Sequence, residues 1–210
     1  MNSNVLYIID PGHGGEIDGV YQTAGKRSPK FDDGSVFYEG VNNRIVANMV
    51  IEELEKRGID AIDIVNSNKD VSLGERVRRA NELGRELKCL YISIHSDAFG
   101  NGKDWTSPSG ISVYTSPGKT RSDDFAEHLI SELHCNFEST VKWRHDSSDG
   151  DRDKEAHFYV LKKTSMPACL IEAGFHTNKE QCLRMMTKEW KDKLVSSIVG
   201  ACEAWEIINE

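Results

Sequence analysis

Two hydrophobic periods alternate along the chain and divide it into strands and helices. Short, β-branched apolar runs predict buried strands over residues 5–9, 59–65, 90–94, 111–115, 158–161 and 168–171, the last two separated by a turn at Ser165-Met166-Pro167. Between them, apolar residues recur every three or four positions. Val41, Ile45 and Met49, with Val46, Val50 and Leu54 beside them, predict a helix from Tyr38-Glu39-Gly40 to about residue 57, stopped by Gly58. Ser72-x-x-Glu75 forms a capping box ahead of a second helix whose stripe is Leu73, Val77, Ala80, Leu83 and Leu87. A third helix is expected over residues 122–137. A short helix and a longer one over 188–207 close the chain, the longer with Trp190, Leu194, Ile198, Ala201 and Trp205 facing inward. Strands and helices alternate without internal repeat, low-complexity tract or linker. The expected fold is a single α/β domain over residues 1–210, with a mostly parallel mixed central sheet flanked by helices on both faces.

The polar intervals are loops. Residues 14–38 are glycine-rich and contain the turn sequences Lys26-Arg27-Ser28-Pro29 and Asp32-Asp33-Gly34. So long a connection inside a compact domain is usually functional. Residues 99–110 and the charged stretch 141–154, with Asp149-Gly150-Asp151, read as exposed loops.

Charge narrows the partners. The balance is 26 − 34 = −8 with no block of Lys or Arg, which argues against nucleic acid and anionic membrane surfaces. No apolar run is long enough to span a bilayer. Met-Asn-Ser-Asn leads straight into a strand without the basic and apolar regions of a signal peptide, so synthesis in the cytoplasm without one is expected. Cys89, Cys135, Cys169, Cys182 and Cys202 are odd in number, widely spaced and form no Cys-x-x-Cys pair. They suggest a reducing compartment, with neither a disulfide framework nor a thiolate metal site.

The chemistry lies where strands end. The strand at residues 5–9 runs into Asp10-Pro11-Gly12-His13-Gly14-Gly15, the strand at 90–94 into His95-Ser96-Asp97, and the strand at 168–171 into Glu172. Ligands of open α/β sheets bind outside the carboxyl ends of the strands, so His13, His95 and Glu172 can converge. Two histidines and a carboxylate are a usual protein ligand set for catalytic zinc. Glu39, at the start of its helix, is the other available carboxylate. Spacing alone leaves open which of the two binds metal and which carries protons.

These stretches resemble the zinc-dependent N-acetylmuramoyl-L-alanine amidases of the family-3 type, which hydrolyse bacterial peptidoglycan. The similarity rests on Ile9-Asp10-Pro11-Gly12-His13-Gly14-Gly15, Glu39 opening its helix, and Ser72-Leu73-Gly74-Glu75-Arg76-Val77 with Ala80-Asn81. Ser93-Ile94-His95, Tyr159-Val160-Leu161 before Met166-Pro167-Ala168, and Ile171-Glu172-Ala173-Gly174-Phe175 with Thr177-Asn178 continue it in family order. The resemblance implies that His13, Glu39 and His95 hold one Zn2+ per chain and that Glu172 is the catalytic carboxylate. It implies cleavage of the amide between the lactyl group of N-acetylmuramic acid and L-alanine, with bacterial peptidoglycan as partner. Two positions depart from the family pattern. Asp97 stands where relatives often carry Asn, and is expected to be structural. Asn66-Ser67-Asn68 replaces a Thr-Arg pair, which bears on substrate contacts at that edge rather than on the metal.

Rival functions are weighed on the same residues. A dinucleotide site needs a third glycine where Ile17 stands. A zinc peptidase cutting within the stem peptide would use the same four groups, and an inactive wall-binding relative would have lost one of them. His128 and His134 are expected to face solvent or pack locally, His145 to lie in a loop, His157 to open a strand, and His176 to be a satisfied structural histidine. Arg76 reads as a structural pairing residue, and Trp105 and Trp143 as loop anchors or sugar-stacking rings. Substrate-binding residues and oligomeric state are not legible. Without a signal peptide the enzyme would reach the wall on phage lysis, as an endolysin, or on mother-cell lysis, as an autolysin, and the phage route is favoured. No separate wall-binding module is visible, so the domain acts alone or beside a module outside this chain.

Overall fold

Strand β1 (Leu6–Pro11) is buried on both sides, and alternation sends Tyr7 and Ile9 into one apolar cluster and Ile8 into another. The same parity holds in β5 (Cys89–Asp97) and β8 (Ala168–Phe175). Leu90, Ile92, Ile94, Cys169 and Ile171 join the larger cluster, while Tyr91, Ala168 and Leu170 join the smaller. The computed structural model describes residues 4–148 and 150–209, without the side chains of Ser139 and Asn209. Residues 1–3 of the N-terminal segment and Asp149 of the Asp-Gly-Asp stretch lie outside the described residues.

The central sheet has the order β4-β1-β5-β8-β6-β7, with β4 (Ala61–Asp63), β6 (Ser112–Thr115) and β7 (Lys154–Glu155) completing it. Pairing is parallel except between β6 and β8. Helices α1 (Glu39–Lys56), α3 (Arg121–Phe137), α5 (Lys179–Met186) and α6 (Lys188–Asn209) supply the larger cluster. Helices α2 (Leu73–Leu83) and α4 (Tyr159–Lys163) supply the smaller one on the opposite face. The chain is thus one α/β domain with a mostly parallel mixed sheet covered on both faces. A small hairpin of β2 (Glu16–Ile17) and β3 (Val20–Tyr21) turns through Asp18-Gly19, both at positive φ, inside the first loop.

Several elements differ from the sequence expectation. Residues 158–161 are not a strand: Phe158 caps α4, because the adjacent Val160 and Leu161 are both buried against one face, which strand alternation would forbid. Strands β5 and β8 extend past residues 94 and 171, so His95 and Glu172 lie within them rather than beyond their ends. In α1, Ile45 is exposed and the buried stripe is Asn43, Val46, Ala47, Val50 and Leu54. Polar anchoring at the helix start sets that rotation, with Asn43 donating to the Gly12 carbonyl and Arg44 to the His13 carbonyl. Helix α2 stops at Leu83 with Leu73 and Leu87 exposed, because Arg76 takes a core-facing position in its stripe. Its cap is one-sided: Ser72 accepts from the Glu75 N–H, while the Glu75 carboxylate pairs with Arg78 and Arg79.

Candidate metal centre and catalytic site

Strand parity puts Asp10, Ser93, His95 and Glu172 on the α2/α4 side of the sheet, and register makes His95 and Glu172 direct neighbours across β5 and β8. His13 follows β1 in a left-handed conformation, φ 65°, which is costly for a residue with a side chain. The chain holds it there by gripping its carbonyl, which accepts from Arg44 Nη2 at 2.9 Å and Arg76 Nη2 at 3.0 Å. Gly12 is required beside it, since a Cβ there would overlap the His95 ring. The two imidazoles meet edge to face, ring centroids 4.9 Å apart.

Glu39 enters from the other face, at the first turn of α1. Its Oε1 lies 3.2 Å from His13 Nε2 and 3.1 Å from His95 Nδ1, and accepts the Ser96 N–H at 3.1 Å. Burial raises its pKa, but the bonds with His13 and His95 outweigh that and hold it well below the usual carboxylate range. Its Oε2 is buried with no hydrogen-bond partner. One ligand atom each from His13, Glu39 and His95 lies within 4.8 Å of the others, the one such cluster among the described residues. Two imidazoles, an ionised carboxylate and an orphaned buried oxygen suit a divalent cation, and the donor set suits zinc.

Glu172 stands apart from that cluster. Burial pushes its pKa well up, the charges of Glu39 and Asp97 add to the shift, and Lys26 opposes it. Its Oε2 is also buried and unpartnered. Asp97 is held as a structural residue, its Oδ1 accepting from Ala98 N–H and its carbonyl from His176 N–H. Its charge nonetheless reaches Glu172, a contribution that no sequence motif signalled.

Behind the centre, Asp10 and Arg76 form a buried ion pair, Ser93 donates to Asp10 Oδ2 at 2.7 Å, and Arg76 also donates to the Pro11 carbonyl. The sequence reading of Arg76 as a pairing residue holds. The Asn66-Ser67-Asn68 segment serves as backbone support: Ser67 O accepts from Arg44 and Asn68 O from Gly15 N–H. His176 is buried against Phe37, its Nδ1 2.9 Å from Ser96 Oγ. Trp105 packs on Phe31, and Trp143 stacks on His134 at 4.0 Å, so both are engaged as anchors. His134 and His145 meet through Nε2 atoms 2.9 Å apart, outside the His13–Glu39–His95 cluster. A cavity of about 620 Å³ opens over His13, His95 and Glu172, walled by Lys26 and by residues at the starts of α2 and α4.

Comparison with known proteins finds relatives that match nearly the whole chain. The family model described as N-acetylmuramoyl-L-alanine amidase matches residues 8–204. The amidase LytC of Bacillus subtilis (strain 168) is 29% identical over 91% of the chain, which spans only 33% of LytC. The germination-specific N-acetylmuramoyl-L-alanine amidase of the same organism is 28% identical, with 94% of this chain and 78% of that protein covered. Among solved structures, the N-acetylmuramoyl-L-alanine amidase of Clostridium difficile 630 superposes with a TM-score of 0.76 at 25% identity, covering 98% of this chain and 97% of the other.

Proposed function

The chain belongs to the N-acetylmuramoyl-L-alanine amidase family, and on that premise we propose that it hydrolyses the amide between N-acetylmuramic acid and L-alanine in bacterial peptidoglycan. In this reading the whole matched span acts as one catalytic domain at the cell wall. Among the described residues no helix is long and apolar enough to cross a membrane. The observation that carries the proposal is the pairing of the His13–Glu39–His95 cluster with an unpartnered carboxylate, Glu172, on the strand beside His95.

His13, Glu39 and His95 would hold one zinc ion. Bound there, zinc supplies Lewis acidity, lowering the pKa of water and polarising the substrate carbonyl. Glu172 takes a proton from the attacking water as general base and returns it to the departing L-alanine nitrogen as general acid. Burial raises its pKa well above the usual carboxylate range, which favours holding the proton between the two transfers. Asp97 and Glu39 contribute to that pKa through space. Arg44, Arg76 and Asp10 orient, holding the backbone that presents His13.

Digestion of purified peptidoglycan, followed by mass spectrometry of the new ends, tests the assignment. Free L-alanine amino termini on intact glycan strands are expected, lost after chelation and regained with zinc. New ends inside the stem peptide would make the protein a peptidase on the same site.

A further inference from the structure

One wall of the catalytic cavity is apolar and uncovered. Leu73, Phe158 and Tyr159 are 53%, 38% and 45% exposed, although all three line the cavity that contains His13, His95 and Glu172. They come from the starts of α2 and α4, on one face of the sheet. Phe158 is fixed from beneath by Tyr114, ring centroids 5.2 Å apart. Two aromatic rings and a leucine left in water inside a cleft form a surface that a ligand covers with gain in free energy. The opposite side carries Lys26. Its carbonyl accepts the Glu39 N–H at 3.0 Å, which ties it to the α1 face, and its ammonium is felt electrostatically at Glu172 and His176.

The two walls differ as the two halves of the substrate do. On the carbonyl side of the scissile amide is a pyranose ring, whose C–H faces suit aromatic surfaces. On the nitrogen side is a peptide bearing carboxylates, which an apolar shelf would desolvate at a cost and which an ammonium favours. Building on the amidase reading, we propose that Leu73, Phe158 and Tyr159 form the glycan subsite, seating the N-acetylmuramic acid ring, while the stem peptide leaves along the Lys26 side. The anchored tryptophans, Trp105 and Trp143, take no part in this stacking.

The test uses the zinc-loaded full chain and two competitors of wall hydrolysis, peptide-free glycan strands and free stem peptides. In Tyr159→Ala the inhibition constant for glycan strands should rise about tenfold, roughly the loss of one ring's burial. The drop in kcat/KM on whole wall should fall on KM, and the constant for free peptides should stay as in the wild type. Tyr159→Trp should restore glycan inhibition. Phe158→Ala should act in the same direction, with its melting temperature followed because Phe158 also packs on Tyr114. An unchanged glycan constant in Tyr159→Ala, or a change confined to the peptide constant, would overturn the subsite. If that occurs while the wild type still releases L-alanine termini, the subsite alone fails; cleavage within the stem would remove the amidase reading and the subsite with it.

Discussion

Arg76 Nη2 lies 3.0 Å from the carbonyl oxygen of His13, a bond that spans 63 positions of sequence. The same guanidinium pairs with Asp10 and donates to the carbonyls of Pro11 and Val71. A planar fork serves these acceptors together, as a lysine ammonium does not. Arg76→Lys is therefore expected to weaken zinc binding by about 10–100-fold, the usual effect of losing an outer partner of a ligand. Competition against a chromogenic chelator measures it. A purely structural role would lower the melting temperature and leave zinc affinity intact.

Gly12 makes a sharper steric prediction. A methyl group at this position overlaps the His95 ring, while Gly25 has nothing within 4 Å of its added Cβ. Gly12→Ala should displace His95, cost about 1–3 kcal/mol of stability and abolish tight metal binding. Gly25→Ala should change neither. Thermal melts with and without zinc distinguish the two variants.

Asp153 should make stability depend on pH. It is buried beside Thr115, which donates to its Oδ2 at 2.7 Å. Burial raises its pKa to about 7, the Thr115 bond opposes the rise, and the charges of Asp151 and of Asp123 at the start of α3 add to it. An unfolded aspartate ionises near 4. Between about pH 4 and pH 7 the folded protein holds a proton that the unfolded chain has lost, so stability falls as pH rises through that window and levels off above it. Asp153→Asn removes the ionisation. The variant's stability relative to the wild type should therefore grow by about 1–3 kcal/mol between pH 5 and pH 8. A difference that does not vary with pH would refute this.

Much of the architecture was legible because β-branched runs mark buried strands and three of them lead into ionisable groups. What parity decides was not. Whether His95 and Glu172 share a face depends on register between β5 and β8, and a one-residue slip would reverse it. The α4 segment misled because Tyr159, Val160 and Leu161 have strand-like composition, and only their packing against α2 makes a helix. The α1 stripe was displaced because buried polar residues, Asn43 and Arg44, outrank the apolar spacing of Val41, Ile45 and Met49. The Asp18-Gly19 hairpin carried a turn signal, but flanking strands of two residues give no alternation to read.

The division of labour between the two carboxylates is the central claim, and zinc content measured alongside wall hydrolysis in Glu39→Gln and Glu172→Gln tests it most directly. Glu172→Gln should retain about one zinc per chain while losing about 10²–10⁴-fold in turnover, the span of general acid–base catalysis. Glu39→Gln should lose the zinc and the activity together. Zinc retained in Glu39→Gln but lost in Glu172→Gln would reverse the roles and contradict the account.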